Sequence, residues 1–175
     1  LVEYAGANDS KNQNIVWAND AEFKNLSYYK DTFYLLGEDN LIYKLTAPKL
    51  FQESPSTNST SSPQASSEQA PELTQWTKKD AKINSPVLDM AIDGSIYLLE
   101  SDNSVTEFVN GASKGRLKLI EAATKIFTSP NHKNIYLLSP QEGLILVVDK
   151  NSVGASGGIK KRLSHPELKD AKSFF

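Results

Sequence analysis

The sequence predicts an all-β fold built from a repeated four-stranded sheet, and three observations predict it. Asn134-Ile135-Tyr136-Leu137-Leu138 has two earlier near-copies, Ser95-Ile96-Tyr97-Leu98-Leu99 and Thr32-Phe33-Tyr34-Leu35-Leu36. Each copy is followed by an acidic or glycine-bearing turn and then by a further apolar run. The copies also keep a period. Tyr97 to Tyr136 spans 39 residues and Tyr34 to Tyr97 spans 63, and a Ser/Thr/Pro-rich stretch at 52–72 nearly accounts for the difference. Self-similarity at a fixed period defines a repeat architecture before any single residue is weighed.

The elements follow in order. Residues 1–5 and 14–18 read as strands around a polar loop. Asn25 to Lys30 is a strand that turns at Lys30-Asp31 into the first Tyr-Leu-Leu strand. Glu38-Asp39-Asn40 is a tight turn, since Asp and Asn tolerate positive φ, and Leu41 to Leu45 pairs back. Residues 52–72 are almost wholly Ser, Thr, Pro, Gln, Ala and Glu. Such a stretch buries too little apolar surface to offset its ordering entropy. The repeat spacing makes it a disordered insertion inside one repeat, not a linker between domains. Leu73 to Thr77 resumes as a strand. The next repeat runs through Val87–Ile92, Ser95–Leu99, Ser104–Val109 and Arg116–Ile120, with turns at Asp93-Gly94 and Asn110-Gly111. The last runs through Thr124–Thr128, Asn134–Leu138, Leu144–Asp149 and Ile159–Leu163, and residues 171–175 open another first strand.

Four short strands per about 40 residues is the period of a β-propeller blade. The second strands are continuously apolar, as strands buried on both faces are. The fourth strands are richer in cations (Lys78, Lys79, Lys118, Lys160, Lys161, Arg162), a usual guard on an edge strand. The expected fold is therefore a β-propeller fragment of about four blades, one partial domain over 1–175. Its fifteen strands fall one short of four closed blades, which suits a piece of a six- to eight-bladed ring.

Composition narrows the function classes. The chain has 175 residues, 39% hydrophobic and 23% charged, with net charge −2. That balance carries no basic footprint for nucleic acid. No apolar run approaches the 18 residues of a membrane helix. There is no Cys, which removes disulfides, thiolate metal sites and Cys nucleophiles. The chain starts at Leu1 and its one Met is Met90, as expected for a processed product or a fragment.

Ser129-Pro130-Asn131-His132-Lys133-Asn134-Ile135-Tyr136-Leu137-Leu138, followed by Leu144-Ile145-Leu146-Val147-Val148-Asp149, resembles the blade signature of YVTN- and NHL-type β-propellers. Asn131-His132 stands where that signature has Asp-Gly. The chain is also similar to C-terminal regions of membrane-anchored bacterial proteins of phosphatase-like type. The resemblance implies a non-catalytic scaffold binding a protein or glycan, with remaining blades in the same chain and an extracytoplasmic or membrane-anchored location. The competing implication is a metal-dependent, lactonase-like hydrolase, or an accessory or sensor domain of a phosphatase-like protein. Fold alone decides none of these.

Candidate site residues come from two places. The turns between second and third strands carry Asp39, Asp102 and Glu142. Repeated carboxylates on one face suit a cation or a basic partner, although Asp, Asn and Gly are also what a tight hairpin demands. The first strands, which would line a central channel, carry Tyr28, Asp89 and Lys125. Asp89 is the most out-of-place charge, inside Val87-Leu88-Asp89-Met90-Ala91-Ile92, and reads as a channel-facing carboxylate in water. His132 and His165 lack partners at metal-ligand spacing and read as solvated turn residues. No cofactor is expected. Sequons stand at Asn8, Asn25 and Asn58, of which Asn58 is the one in an exposed setting.

Overall fold

The structure, a computed structural model, describes residues 22–46, 72–155 and 158–173. The strands expected at 1–5 and 14–18, nearly all of the 52–72 insertion, and Phe174-Phe175 lie outside these residues. Twelve strands form three sheets. The first contains β1 (Phe23–Tyr29), β2 (Thr32–Gly37), β3 (Ile42–Thr46) and β4 (Glu72–Gln75). The second contains β5 (Val87–Ile92), β6 (Ile96–Glu100), β7 (Ser104–Val109) and β8 (Ala112–Lys118). The third contains β9 (Lys125–Phe127), β10 (Asn134–Ser139), β11 (Leu144–Asp149) and β12 (Ile159–Ser164). Every neighbouring pair is antiparallel and sequential. The chain is a β-propeller fragment, and each sheet is a blade.

Turn chemistry sets the hairpins. Lys30 and Asp31 (φ 46 and 57) and Asn110 and Gly111 (φ 49 and 79) are two-residue turns with both central residues left-handed. That geometry matches the twist of the paired strands. The three turns between second and third strands share one form. Asn40, Asn103 and Gly143 each adopt φ near +60, and their N–H groups donate to Gly37, Glu100 and Pro140 at 3.0 Å.

Three expectations need correction. The fourth strand of the second blade starts at Ala112, not Arg116, because the Asn110-Gly111 turn lets the chain pair back at once. β4 ends at Gln75, so Lys78 and Lys79 lie in the connection to β5 rather than on an edge strand. Residues 171–173 pair with no neighbour and form no strand. In addition, Glu72 belongs to β4 and pairs with Thr46, so residues 47–71 fall between adjacent strands of one sheet.

The Tyr-Leu-Leu string makes each blade adhesive on both sides. Side chains alternate along a strand, so Tyr and the last Leu share one face and the middle Leu takes the other. Tyr34 and Leu36 pack with Met90, Ile96, Leu98 and Phe108 of the second blade. Tyr97 and Leu99 pack with Ile126, Ile135, Leu137 and Leu146 of the third. We call the Tyr-x-Leu side the leading face and the opposite side the trailing face. Fully burying each Leu contributes roughly 1.5–3 kcal/mol.

Candidate functional site

The first strands carry the polar layer that the sequence only half revealed. Asn25, Asp89 and Lys125 pair across their sheets with Leu36, Leu99 and Leu138. Each therefore lies opposite the last Leu of its own repeat, at one level of three adjacent inner strands. The Asn25 amide donates to Asp89 Oδ1 at 2.6 Å, and Asp89 Oδ2 accepts the Ile126 N–H at 3.0 Å. Lys125 Nζ stands 3.9 Å from Asp89. Asp89 is only 6% exposed. The expected water-facing carboxylate is thus a buried fastener, because blades on both sides cover its strand and supply its partners. A buried carboxylate persists when it is paired and hydrogen-bonded.

Just before this level, register shifts interrupt β1 between Phe23 and Asn25 and β5 between Val87 and Asp89. Such bulges re-aim a side chain. Lys24 turns to Asn40 Oδ1 (2.8 Å) and toward Glu38 (3.9 Å). Asn40 Oδ1 also accepts the Val87 N–H at 2.9 Å, joining the first blade's turn to the second blade. Leu88 stands 44% exposed.

The three turn carboxylates have three different fates. Asp39 closes its own hairpin: it accepts the Leu41 N–H at 2.9 Å and the Tyr43 hydroxyl at 2.6 Å. That hydrogen bond, aided by burial and the Asp39 charge, pushes the Tyr43 pKa up to about 12. Asp102 pairs with Arg116 at 2.7 Å and Lys118 at 3.4 Å. Burial pushes the Asp102 carboxyl up, but Ser104, Ser85, Arg116 and Lys118 together hold it below the usual carboxylate value. Glu142 is exposed. Tyr28 sits at the opposite end of β1, 59% exposed, donating to Asp31 at 2.9 Å. The structure therefore brings together Asp89 and Lys125 but not Tyr28, Asp39, Asp102 or Glu142.

Sequence reasoning missed Asn25, Glu100 and Arg116. Asn25 reads as a strand end and a sequon, yet its amide is committed to Asp89. Glu100 is fully buried; it accepts from Asn84 N–H, Ser85 N–H, Ser85 Oγ and Arg116 at 3.1 Å, and from Thr106. Its signal was a charge ending an otherwise apolar second strand. The histidines behave as read: both are exposed, and His165 Nδ1 caps the 3-10 turn Pro166–Lys169.

One end of the fragment gathers the remaining accessible features. It holds the β2–β3, β6–β7 and β10–β11 turns and the β4–β5 and β8–β9 connections. Leu88, Ile120 (88% exposed) and Leu163 stand there. Leu119, beside Ile120, donates its N–H to Asn103 O at 2.7 Å, which sets Ile120 against the Asp102 turn. Among the described residues, no three His, Cys, Asp or Glu side chains converge as a metal site, and no helix is long and apolar enough to cross a membrane.

No protein-family model and no curated protein matches the chain. Solved structures do match. BamB from Moraxella catarrhalis is similar with a TM-score of 0.50 and 8% identity, over 84% of this chain and 38% of that one. The nidogen/laminin complex is similar with a TM-score of 0.50 and 8% identity, over 79% and 44%. The WD40 repeats of RRP9 give 0.48 and 12%, over 77% and 36%. The fold is that of a β-propeller. The chain spans about a third of the length of the first structures it matches, and at these identities the likeness shows the fold alone.

Proposed function

We propose that this propeller fragment is a non-catalytic scaffold that binds a protein partner on the end carrying the second-to-third-strand turns. The observation that carries the reading is the set of exposed aliphatic side chains there, Leu88 and Ile120 above all, set among Asp102, Lys118, Lys125 and Glu142. An apolar centre with a polar rim is the anatomy of a protein interface. The carboxylates that suggested chemistry are otherwise engaged: Asp39 with Tyr43, Asp89 with Asn25 and Ile126, Asp102 with Arg116. A protein is favoured over a glycan because the exposed large aromatic among the described residues, Tyr28, stands at the other end. Aromatic faces are what a sugar ring stacks on. The test places a photo-crosslinking amino acid at position 120, and at Lys114 as a control, in the native host. Protein adducts from position 120 alone are expected. Equal adducts from both positions, or sugar binding on a glycan array that Ile120→Glu abolishes, would overturn the reading.

A further inference from the structure

The polar layer on the inner strands leaves one charge unanswered. Asp89 has committed both carboxylate oxygens: Oδ1 accepts the Asn25 amide at 2.6 Å, and Oδ2 accepts the Ile126 N–H at 3.0 Å. Lys125 Nζ stops 3.9 Å from Asp89, beyond hydrogen-bond reach. Its side chain is 39% exposed, and among the described residues no acceptor takes a hydrogen bond from its ammonium. Other cations at this end are engaged. Lys24 donates to Asn40 at 2.8 Å, Lys118 to the Asp102 carbonyl, and Arg162 to Glu121 at 2.5 Å. The carboxylates are answered in turn: Asp39 by Tyr43, Asp102 by Arg116 and Lys118, Glu121 by Arg162. Glu142 stays exposed on the third blade's turn. The apolar part of this end adjoins Lys125. Leu88 stands at the register shift just before Asp89, and Ile120 lies in the connection that leads into β9. Both are exposed.

We propose that Lys125 sets the specificity of this end, and that the partner segment docking there presents a carboxylate flanked by aliphatic side chains. The inference rests on the protein-binding reading and names the chemistry of the segment bound. The occupant follows from charge. A carboxylate gives the free ammonium a charge-assisted hydrogen bond, whereas a basic segment would meet it with like charge. The aliphatic neighbours follow from Leu88 and Ile120, whose burial by the partner removes water from around the pair and strengthens it. Lys125 stays available because Asp89 is fixed from the first and third blades and cannot swing out to neutralise it. A pair of this kind selects among partners more than it tightens binding.

The test is selection of a random-peptide phage library on the immobilised 175-residue chain, followed by fluorescence polarisation with the leading peptide. Peptides that combine Asp or Glu with Leu, Ile or Val are expected. Lys125→Met should weaken the Kd roughly two- to fivefold at low salt, the range of one exposed ion pair. The gap should close at high salt. Lys125→Arg should restore wild-type binding. Lys161→Met, an equal loss of charge on the rim strand β12, should leave binding unchanged. Circular dichroism and slow exchange of the Ile126 amide check that each variant keeps the Asp89 layer. A selection that yields no peptide, or peptides without acidic preference, overturns the proposal. Equal weakening by Lys125→Met and Lys161→Met overturns it too. Wild-type binding that salt does not weaken overturns it without recourse to any variant. Peptides lost in Ile120→Glu but kept in Lys125→Met would sink this inference and leave the protein-binding reading standing. That reading fails separately, on the crosslinks from position 120.

Discussion

The contact between the first and second blades and the contact between the second and third use one motif and fasten it differently. Among the described residues, the first has a small core of seven buried residues, including Leu36, Ile42 and Phe108, edged by the aromatics Tyr34 and Trp76. The second has thirteen, nearly all aliphatic. The first is pinned near the turns, where Asn40 accepts the Val87 N–H. The second is pinned at the opposite end and at the rim. There Lys150 pairs with Asp93 and donates to the Ser129 carbonyl, while Gly115 and Gly154 bring two backbones together. A glycine pair permits an approach that no side chain allows. The difference teaches that a repeated strand supplies the apolar layer, and unrepeated residues decide how firmly each layer is held. Asp89 is the exception that serves both contacts, through Asn25 on one side and Ile126 on the other.

That comparison can be broken from either side. Phe108→Ala should cost most, about 3–5 kcal/mol for an emptied aromatic site. Hydrogen exchange should quicken first in β1 to β3, and equal quickening in β10 and β11 would erase the distinction. Gly115→Val should cost about 3 kcal/mol, because its Cβ would meet Gly154 Cα at 2.7 Å and the Val153 carbonyl at 2.8 Å. Denaturant melts should show that loss, with exchange quickening in the third blade instead. Asp89→Ala should cost about 2 kcal/mol by orphaning the Ile126 N–H and the Asn25 amide, and should loosen both contacts together. Loosening of one alone would show that the polar layer is not shared.

Two smaller effects sharpen the account of the turns. The Tyr43 hydroxyl has its pKa raised from 10.0 to about 12, chiefly by its bond to Asp39. The fold therefore favours the neutral phenol. The stabilisation is complete below pH 10 and is lost as pH rises toward 12. Tyr28, Tyr34 and Tyr97 are raised as well, so phenolate absorbance should show several late-titrating Tyr, of which one returns toward 10 in Asp39→Asn. Glu142→Ala should change stability by less than about 0.5 kcal/mol, as surface substitutions do. A larger loss would mean that this turn, like that of Asp39, is held by its carboxylate.

Much of the fold was legible in the chain, and the reason is local. Periodicity marked Val87–Ile92, Ser104–Val109 and Leu144–Asp149 at the bounds the structure shows. Lys30-Asp31 and Asn110-Gly111 marked hairpins, because few residue types accept positive φ. The candidate site was less legible. Asn25, Asp89 and Lys125 precede their repeat tyrosines by 9, 8 and 11 residues, since the intervening turns differ in length. No fixed spacing therefore shows them as one layer. Ala112–Gly115 read as loop because small and polar residues carry no alternation of their own, and pairing with β7 made them strand.

The sequence by itself determined the repeat, the two-sided Tyr-Leu-Leu strand and the turns, because each is set by steric preferences over a few neighbouring residues. Only the tertiary structure decided that Asp89 is buried and shared between blades, that Asp39 serves its own hairpin, and that Ile120 stands exposed beside the Asp102 turn. A charge in an apolar strand has no environment until the neighbouring blades supply one. Desolvation and hydrogen bonding, which fix the role of Asp89, act through space and not along the chain.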